Sequence, residues 1–431
     1  MNFKKWATVM LVTASALTLA ACSNGDDNAS DGGSSESSEI VTEVKEGTTV
    51  SFWHAMNGVQ EEALTKIADD FMKENENIKI ELQNQSSYGD LQAKINSTLP
   101  SPKDLPTISQ AYPGWLWNAA QDDMLVDLKP YIENETIGWG DQEEIKESLL
   151  SGAEIDGTQY GIPFNKSTEV LVYNADMLKE YNVEVPTTLD ELKEAAQTIY
   201  EESDGAVVGA GFDSLNNYYA IGMENKGVEL TKDLDLSSDE SSEVTHYYAD
   251  GVKEGYFRIA GSDKYLSGPF ANGQVAMFIG SMAGEGFVAK DTAGKFEYGV
   301  APRPEKINIQ QGTDVYMYDA ASSDEKTAAF LFMKYLSTPD VQLYWANQTG
   351  YMPIVDSVIN SDDYKNSESI KTPAILADAT KELFSIPVVE NADPAYNEIR
   401  TIMETVLADP SQDVDQVLSD SQAQLDDAWN Q

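Results

Sequence analysis

From residue 49 to the C-terminus, strand-like and helix-like stretches alternate, and that alternation limits the fold more than any other feature of the chain. Residues 49–54 (TVSFWH) set β-branched and aromatic side chains beside polar ones and predict a strand, ended by Gly58. Over 61–73, Ala63, Leu64, Ile67, Ala68 and Phe71 fall on one helical face. Residues 78–82 alternate as a second strand. An amphipathic helix is predicted from about Asp90, and a short strand over 106–111. This β-α-β-α-β order predicts a parallel or mixed sheet covered by helices. Further strands are predicted at 159–163, 169–173 (EVLVY), 274–279 and 315–318. A helix is expected over 188–202 with Thr187 or Thr188 as N-cap, and another over 323–336 capped by Ser323, with Asp324 and Glu325 favouring its N-terminus. Residues 350–353 read as a turn, and 394–429 as largely helical. No internal repeat is visible. About 380 residues are more than one hydrophobic core usually serves, so two domains or lobes are expected.

The N-terminus reads as an export signal. Lys4 and Lys5 precede an uncharged apolar run, 7–21, that is too short to span a bilayer comfortably. Leu19-Ala20-Ala21-Cys22 closes it with small residues before the only cysteine in the chain. Residues 1–21 are therefore expected to be a signal peptide, with Cys22 as the lipidated new N-terminus. Residues 22–48, rich in Ser, Gly, Asp and Glu, are expected to form a flexible acidic linker. The expected location is the extracellular face of a Gram-positive-type cell membrane, with lipid as the membrane contact.

Charge and residue counts exclude several functions. The chain carries a formal charge of −45, which becomes −47 once Lys4 and Lys5 leave with the signal. Such a field repels nucleic acid, so no nucleic-acid partner is expected. With one cysteine, no disulfide can form within the chain, and two histidines, His54 and His246, make a His-based metal site or triad improbable. There is no HExxH, CxxC, P-loop or G-x-S-x-G motif. Residues 233–237 (DLDLS) open like a calcium loop but lack its glycine and glutamate. Neither a metal nor a cofactor is expected.

Aromatic residues do stand out. Trp53, Tyr88, Tyr112, Trp115 and Trp117 all fall at or just after predicted strand ends. Open α/β sheets bind ligands beyond the carboxyl ends of their strands. Sugars offer C–H faces that stack on aromatic rings. Trp53 and Trp117 fit a core role equally well, whereas Tyr88, beside Ser86, Ser87 and Gly89, is expected to be exposed.

Four patches then carry a resemblance: Phe52-Trp-His-Ala-Met56; Pro163-Phe-Asn-Lys-Ser-Thr168 leading into Val170-Leu-Val-Tyr-Asn174; Phe270-Ala-Asn-Gly-Gln-Val-Ala-Met277; and Lys334-Tyr-Leu336 followed by Thr349-Gly-Tyr-Met-Pro-Ile354. Together they make the mature chain similar to the extracellular solute-binding proteins of ABC importers, of the carbohydrate and glycerol-3-phosphate type. The resemblance implies a two-lobed α/β periplasmic-binding-protein-like fold (type II). Each lobe would be a mixed sheet flanked by helices, with the ligand in the cleft between them. Residues 49–170 with 318–350 would form lobe 1, and 171–317 with 351–431 lobe 2. Crossovers would fall near 170–174, 313–317 and 351–354. The partners implied are a small-molecule ligand and the transmembrane subunits of a permease, and the chain would act as a monomer.

Carried over by position, the family's pattern points to Tyr88, Ser151, Ser281, Gly312, Tyr351 and Arg400, to which the loop aromatics add Tyr112 and Trp115. Arg400 could fork onto a phosphate or onto vicinal hydroxyls, or could pair with Glu398 or Glu404. Two departures fall where the ligand would be read. Pro113 stands where the glycerol-phosphate type has a glutamate, and Phe212-Asp-Ser-Leu215 replaces a tryptophan-containing loop. They leave room for a sugar or oligosaccharide stacked on Trp115. A surface-anchored carbohydrate-active hydrolase is the competing reading, although no carboxylate pair is singled out for it. An adhesin is a third, disfavoured by the regular alternation.

Overall fold

Two mixed sheets organise the chain in the computed structural model, which describes residues 40–140, 142, 145–409 and 411–431. The signal segment, Cys22 and the linker up to residue 39 lie outside the described residues. In chain order come β1 (Thr48–His54), β2 (Ile78–Asn84), β3 (Ile108–Ala111), the hairpin β4 (Glu154–Ile155) and β5 (Thr158–Gln159), β6 (Gly161–Pro163) and β7 (Glu169–Asn174). They are followed by β8 (Val208–Phe212), β9 (Phe257–Ile259), β10 (Val275–Ser281), β11 (Tyr298–Pro302), β12 (Asn308–Ile309), β13 (Asp314–Met317) and β14 (Leu383–Phe384). The first sheet has the order β2-β1-β3-β13-β6, with β1, β2 and β3 parallel and β13 antiparallel to its neighbours. The second has the order β11-β7-β10-β8-β9, with β8, β9 and β10 parallel and β7 antiparallel to its neighbours. The expected two-lobed mixed α/β architecture is therefore present.

Local chemistry explains the helices that cover the sheets. Val59–Glu74 buries Ala63, Leu64, Ile67, Ala68 and Phe71, the face read from their spacing. Each such large side chain contributes roughly 1.5–3 kcal/mol on burial. Leu189–Glu202 is capped by Thr188, which accepts from the Glu191 N–H, while Thr187 donates back to the Glu191 carboxylate. The helix Ser323–Leu336 is capped one residue earlier than expected. Ser322, in extended backbone, accepts from the Glu325 N–H, and Glu325 accepts in return from the Ser322 N–H. Ser323 already has its place in the first turn.

Three expectations about boundaries shift. The linker does not run to residue 48 as a free segment. Ile40 and Val44 pack on the core, Lys45 pairs with Asp324 at 2.6 Å, and Thr327 donates to the Val41 carbonyl. These apolar and charged anchors tie 40–47 to the helix Ser323–Leu336. Next, β13 was expected within lobe 2, but its hydrogen bonds place it between β3 and β6 in the first sheet. Finally, the helices Asp356–Asn360 and Asp362–Lys365, also expected in lobe 2, pack on the helix Pro339–Thr349.

The chain leaves the first sheet between β6 and β7, earlier than 170, and returns between β12 and β13. These two crossings and the segment after Gly350 run side by side. Ser167 and Gln311 exchange backbone hydrogen bonds of 2.8 and 2.9 Å, and the Met352 N–H donates to the Lys166 carbonyl at 2.8 Å. Within this ribbon Lys166 and Asp314 form a buried ion pair at 2.5 Å. One apolar core passes alongside, holding Phe52 and Val315 of the first sheet with Val172, Phe278 and Val300 of the second.

Candidate functional site

Each sheet turns the carboxyl ends of its parallel strands toward loops that hold most of the expected residues. In the first lobe, Ser87 caps the helix Tyr88–Thr98, so Tyr88 opens a helix rather than sitting in a loop. Tyr112 and Trp115 follow β3, on a 3-10 turn begun by Pro113. The three rings pack edge to face or tilted, with centroids 5.2–6.3 Å apart. Trp53, by contrast, is a core residue that donates to Gln83 at 2.9 Å, and Trp117 is half-buried beside the same core. His54 ends β1 with its Nδ1 accepting from the Met56 N–H, and burial holds its pKa down at about 4, so it stays neutral.

The hinge ribbon anchors this aromatic group. Asn165 donates to the Tyr88 hydroxyl at 3.0 Å and accepts from Gln110 and Thr313 at 3.0 and 2.9 Å. The Tyr88 hydroxyl lies 3.0 Å from that of Tyr351, so Tyr88 is half-buried and partnered, not exposed as expected. Tyr351 is itself buried and stacks on Trp345 at 5.6 Å. The Gly312 N–H donates to the Tyr112 hydroxyl at 3.4 Å. Gly312 has φ +99°, and a Cβ there would come within 2.0 Å of the Asn165 carbonyl oxygen, so glycine is required. Burial pushes the phenols of Tyr88, Tyr112 and Tyr351 up, keeping them as protonated hydrogen-bonding hydroxyls.

The corresponding edge of the second lobe is polar. Ser281, at the end of β10, lies 2.5 Å from Ser167 and accepts from the Ala283 N–H. Asp213 follows β8 and accepts from the Leu266 N–H at 2.7 Å. Burial pushes its carboxyl up to about 8, with Glu169 adding to the effect and the Leu266 bond opposing it. Arg400 is exposed on the helix Ala392–Ala408, its Nε 3.5 Å from Asn216 Oδ1. Among the described residues no carboxylate lies within ion-pair distance of it, so the pairing with Glu398 or Glu404 is not formed. Beneath this edge Glu169 is buried against Arg303 at 2.5 Å and accepts from Asn217 at 2.7 Å.

The lobes also touch at the aromatic side. Asp393, in the first turn of Ala392–Ala408, accepts from Gln92 at 2.6 Å and packs beside the turn that carries Gly114 and Trp115. Seven of the eight expected residues thus lie on the two facing edges or on the ribbon and helix joining them. Ser151 is the outlier, exposed on a 3-10 turn outside the tyrosine hydrogen bonds, although its neighbour Gly152 abuts Gln310. Sequence reasoning missed Asn165, Asp213 and Asp393. Asn165 and Asp213 stood inside segments already singled out. Asp393 carried no local signal, because only folding sets it against Trp115.

Among the described residues no group of three or more His, Cys, Asp or Glu could hold a metal ion, and no helix is long and apolar enough to cross a membrane. Comparison with known proteins adds the lineage. The sn-glycerol-3-phosphate-binding periplasmic protein of Brucella abortus is 24% identical over 358 residues, which cover 76% of this chain and 80% of that protein. The maltotriose-binding protein of Pyrococcus abyssi is 22% identical over 390 residues, covering 87% and 81%. The fold is similar to the GacH receptor of Streptomyces glaucescens, with TM-score 0.75 and 20% identity over 90% of this chain and 99% of that one. Residues 66–372 match the bacterial extracellular solute-binding proteins as a family, and the chain belongs to that family.

Proposed function

We propose that this solute-binding protein captures a neutral carbohydrate by lobe closure and delivers it to the transmembrane subunits of an ABC permease. It would do so as a monomer held by lipid on Cys22 at the extracellular face of a Gram-positive-type cell membrane. Tyr88, Tyr112, Trp115, Ser151, Ser281, Gly312, Tyr351 and Arg400 are the proposed ligand contacts. The observation that carries the sugar reading is the Tyr88–Tyr112–Trp115 group, whose rings stand together at one sheet edge. Such rings take the C–H face of a pyranose, leaving its hydroxyls to polar neighbours. Capture without hydrolysis fits the relatives, which are named as binding proteins.

A second reading, a glycerol phosphate ligand, is favoured by Arg400, whose guanidinium lacks a carboxylate partner among the described residues. It is weakened by Asp393, an acidic side chain in the first turn of the same helix, which opposes an anion. Thermal unfolding of residues 23–431 with maltotriose, other oligosaccharides and glycerol-3-phosphate separates the two. A ligand at a hundred times its Kd adds about 2.7 kcal/mol. Stabilisation by a sugar alone supports the first reading, and stabilisation by glycerol-3-phosphate alone supports the second. Release of reducing sugar from an oligosaccharide would overturn both in favour of hydrolysis. Labelling of the wild-type chain, but not of Cys22→Ala, by radioactive palmitate tests the anchor.

A further inference from the structure

The second lobe presents an aromatic side chain that neither sequence patterning nor family resemblance singles out. Tyr265 is 60% exposed, one of two large hydrophobic side chains so open among the described residues. A single exposed ring means little in itself, but its position does. The parallel strands β8, β9 and β10 carry their carboxyl-end loops on one edge of the second sheet. Those loops hold Asp213, Tyr265 and Ser281 in turn. This is the edge at which open α/β sheets take ligands.

The loop that carries Tyr265 is pinned at both flanks. Before it, the Ala260 N–H donates to the Phe212 carbonyl at 3.0 Å, and Arg258 pairs with Asp263. Lys264 adopts φ +64°, a conformation disfavoured for a side-chain-bearing residue, and so turns the chain sharply just ahead of the ring. After it, the Leu266 N–H is held by Asp213. The ring is exposed, yet its phenol is pushed up by desolvation and by the Asp213 carboxylate, with the Arg400 guanidinium opposing. Its loop is tied to Asp213, and Ser281 on the neighbouring strand lies 2.5 Å from Ser167 of the ribbon, so the exposed ring stands on the edge of the second sheet where the two lobes meet.

We propose that Tyr265 is the second lobe's ligand-stacking residue, taking the face of a sugar ring opposite the Tyr88, Tyr112 and Trp115 group. It rests on the carbohydrate reading above. Asp213 and Arg400 flank it with an acceptor and donors for ring hydroxyls. Because the side chain is exposed, its removal leaves the fold intact and its effect falls on binding.

The test is calorimetric titration of maltotriose into the wild type, Tyr265→Ala, Tyr265→Phe and Tyr88→Ala. Stacking predicts about tenfold weaker binding for Tyr265→Ala, near wild-type affinity for Tyr265→Phe, and an unchanged melting temperature for both without ligand. Wild-type affinity in Tyr265→Ala, with loss in Tyr88→Ala, overturns this assignment alone. A wild type that binds glycerol-3-phosphate but not maltotriose overturns the carbohydrate reading and this contact with it.

Discussion

At the carboxyl edge of the first sheet stand Tyr88, Tyr112 and Trp115, and at the same edge of the second stand Asp213, Ser281 and, on an adjoining helix, Arg400. The backbones are alike, with three parallel strands and an antiparallel strand between them and the far edge. The chemistries are not. One lobe offers π-faces held by hydroxyl–amide hydrogen bonds from the hinge. The other offers polar hydrogen-bonding groups, Arg400 the charged one among them, above a buried Glu169–Arg303 pair. Sheet topology therefore sets the two edges alike, while side chains alone make one aromatic and the other polar.

The contrast can be broken at its strongest point first. Arg303→Ala leaves Glu169 as an uncompensated charge beneath the second edge, and should cost about 3–5 kcal/mol in urea unfolding. A cost under about 1 kcal/mol would mean that the second lobe does not depend on buried charge. Next, Tyr112→Ala should weaken maltotriose binding by about 2 kcal/mol while leaving much of the stability in place. Equal loss of both would make the aromatic group part of the core and erase the distinction.

Asp213 gives a pH test. Its folded pKa, about 8, lies above that of an unfolded aspartate, so the folded state holds the extra proton between about 4 and 8. Stability should accordingly fall as pH rises through that window. Asp213→Asn, which keeps an acceptor for the Leu266 N–H, should stabilise the chain at pH 8 by a few kcal/mol, order of magnitude, and by little at pH 4. A gain equal at both pH values would contradict the assignment. The smallest expected effect is that of Tyr351→Phe, which removes the hydroxyl facing Tyr88 and should cost about 1 kcal/mol in thermal unfolding. No change would show that the Asn165 bond alone holds Tyr88.

Much of the first edge was legible in the sequence, because the short strands there are followed at once by turn residues such as Pro113 and Gly114, and the aromatics beside them fall at the strand ends. Tyr112 and Trp115 follow β3 for that reason. The helix Val59–Glu74 was legible through its spacing, and the cap of Ser323–Leu336 to within one residue. What escaped depends on contacts far apart in the chain. The place of β13 in the first sheet comes from pairing with β3, about two hundred positions earlier. Asp213 looked like a departure from a family pattern until Leu266 and burial gave it a role. Residues 40–47 read as polar linker because Ile40 and Val44 are too few to show a pattern, yet they dock.

That docking has a mechanical consequence. Residues 40–47 are fastened to the helix Ser323–Leu336, which covers the first sheet, through Lys45–Asp324 and Thr327. A pull arriving from upstream would therefore be taken up by that helix and the first sheet it covers, and not by the ribbon around Lys166 and Gln311.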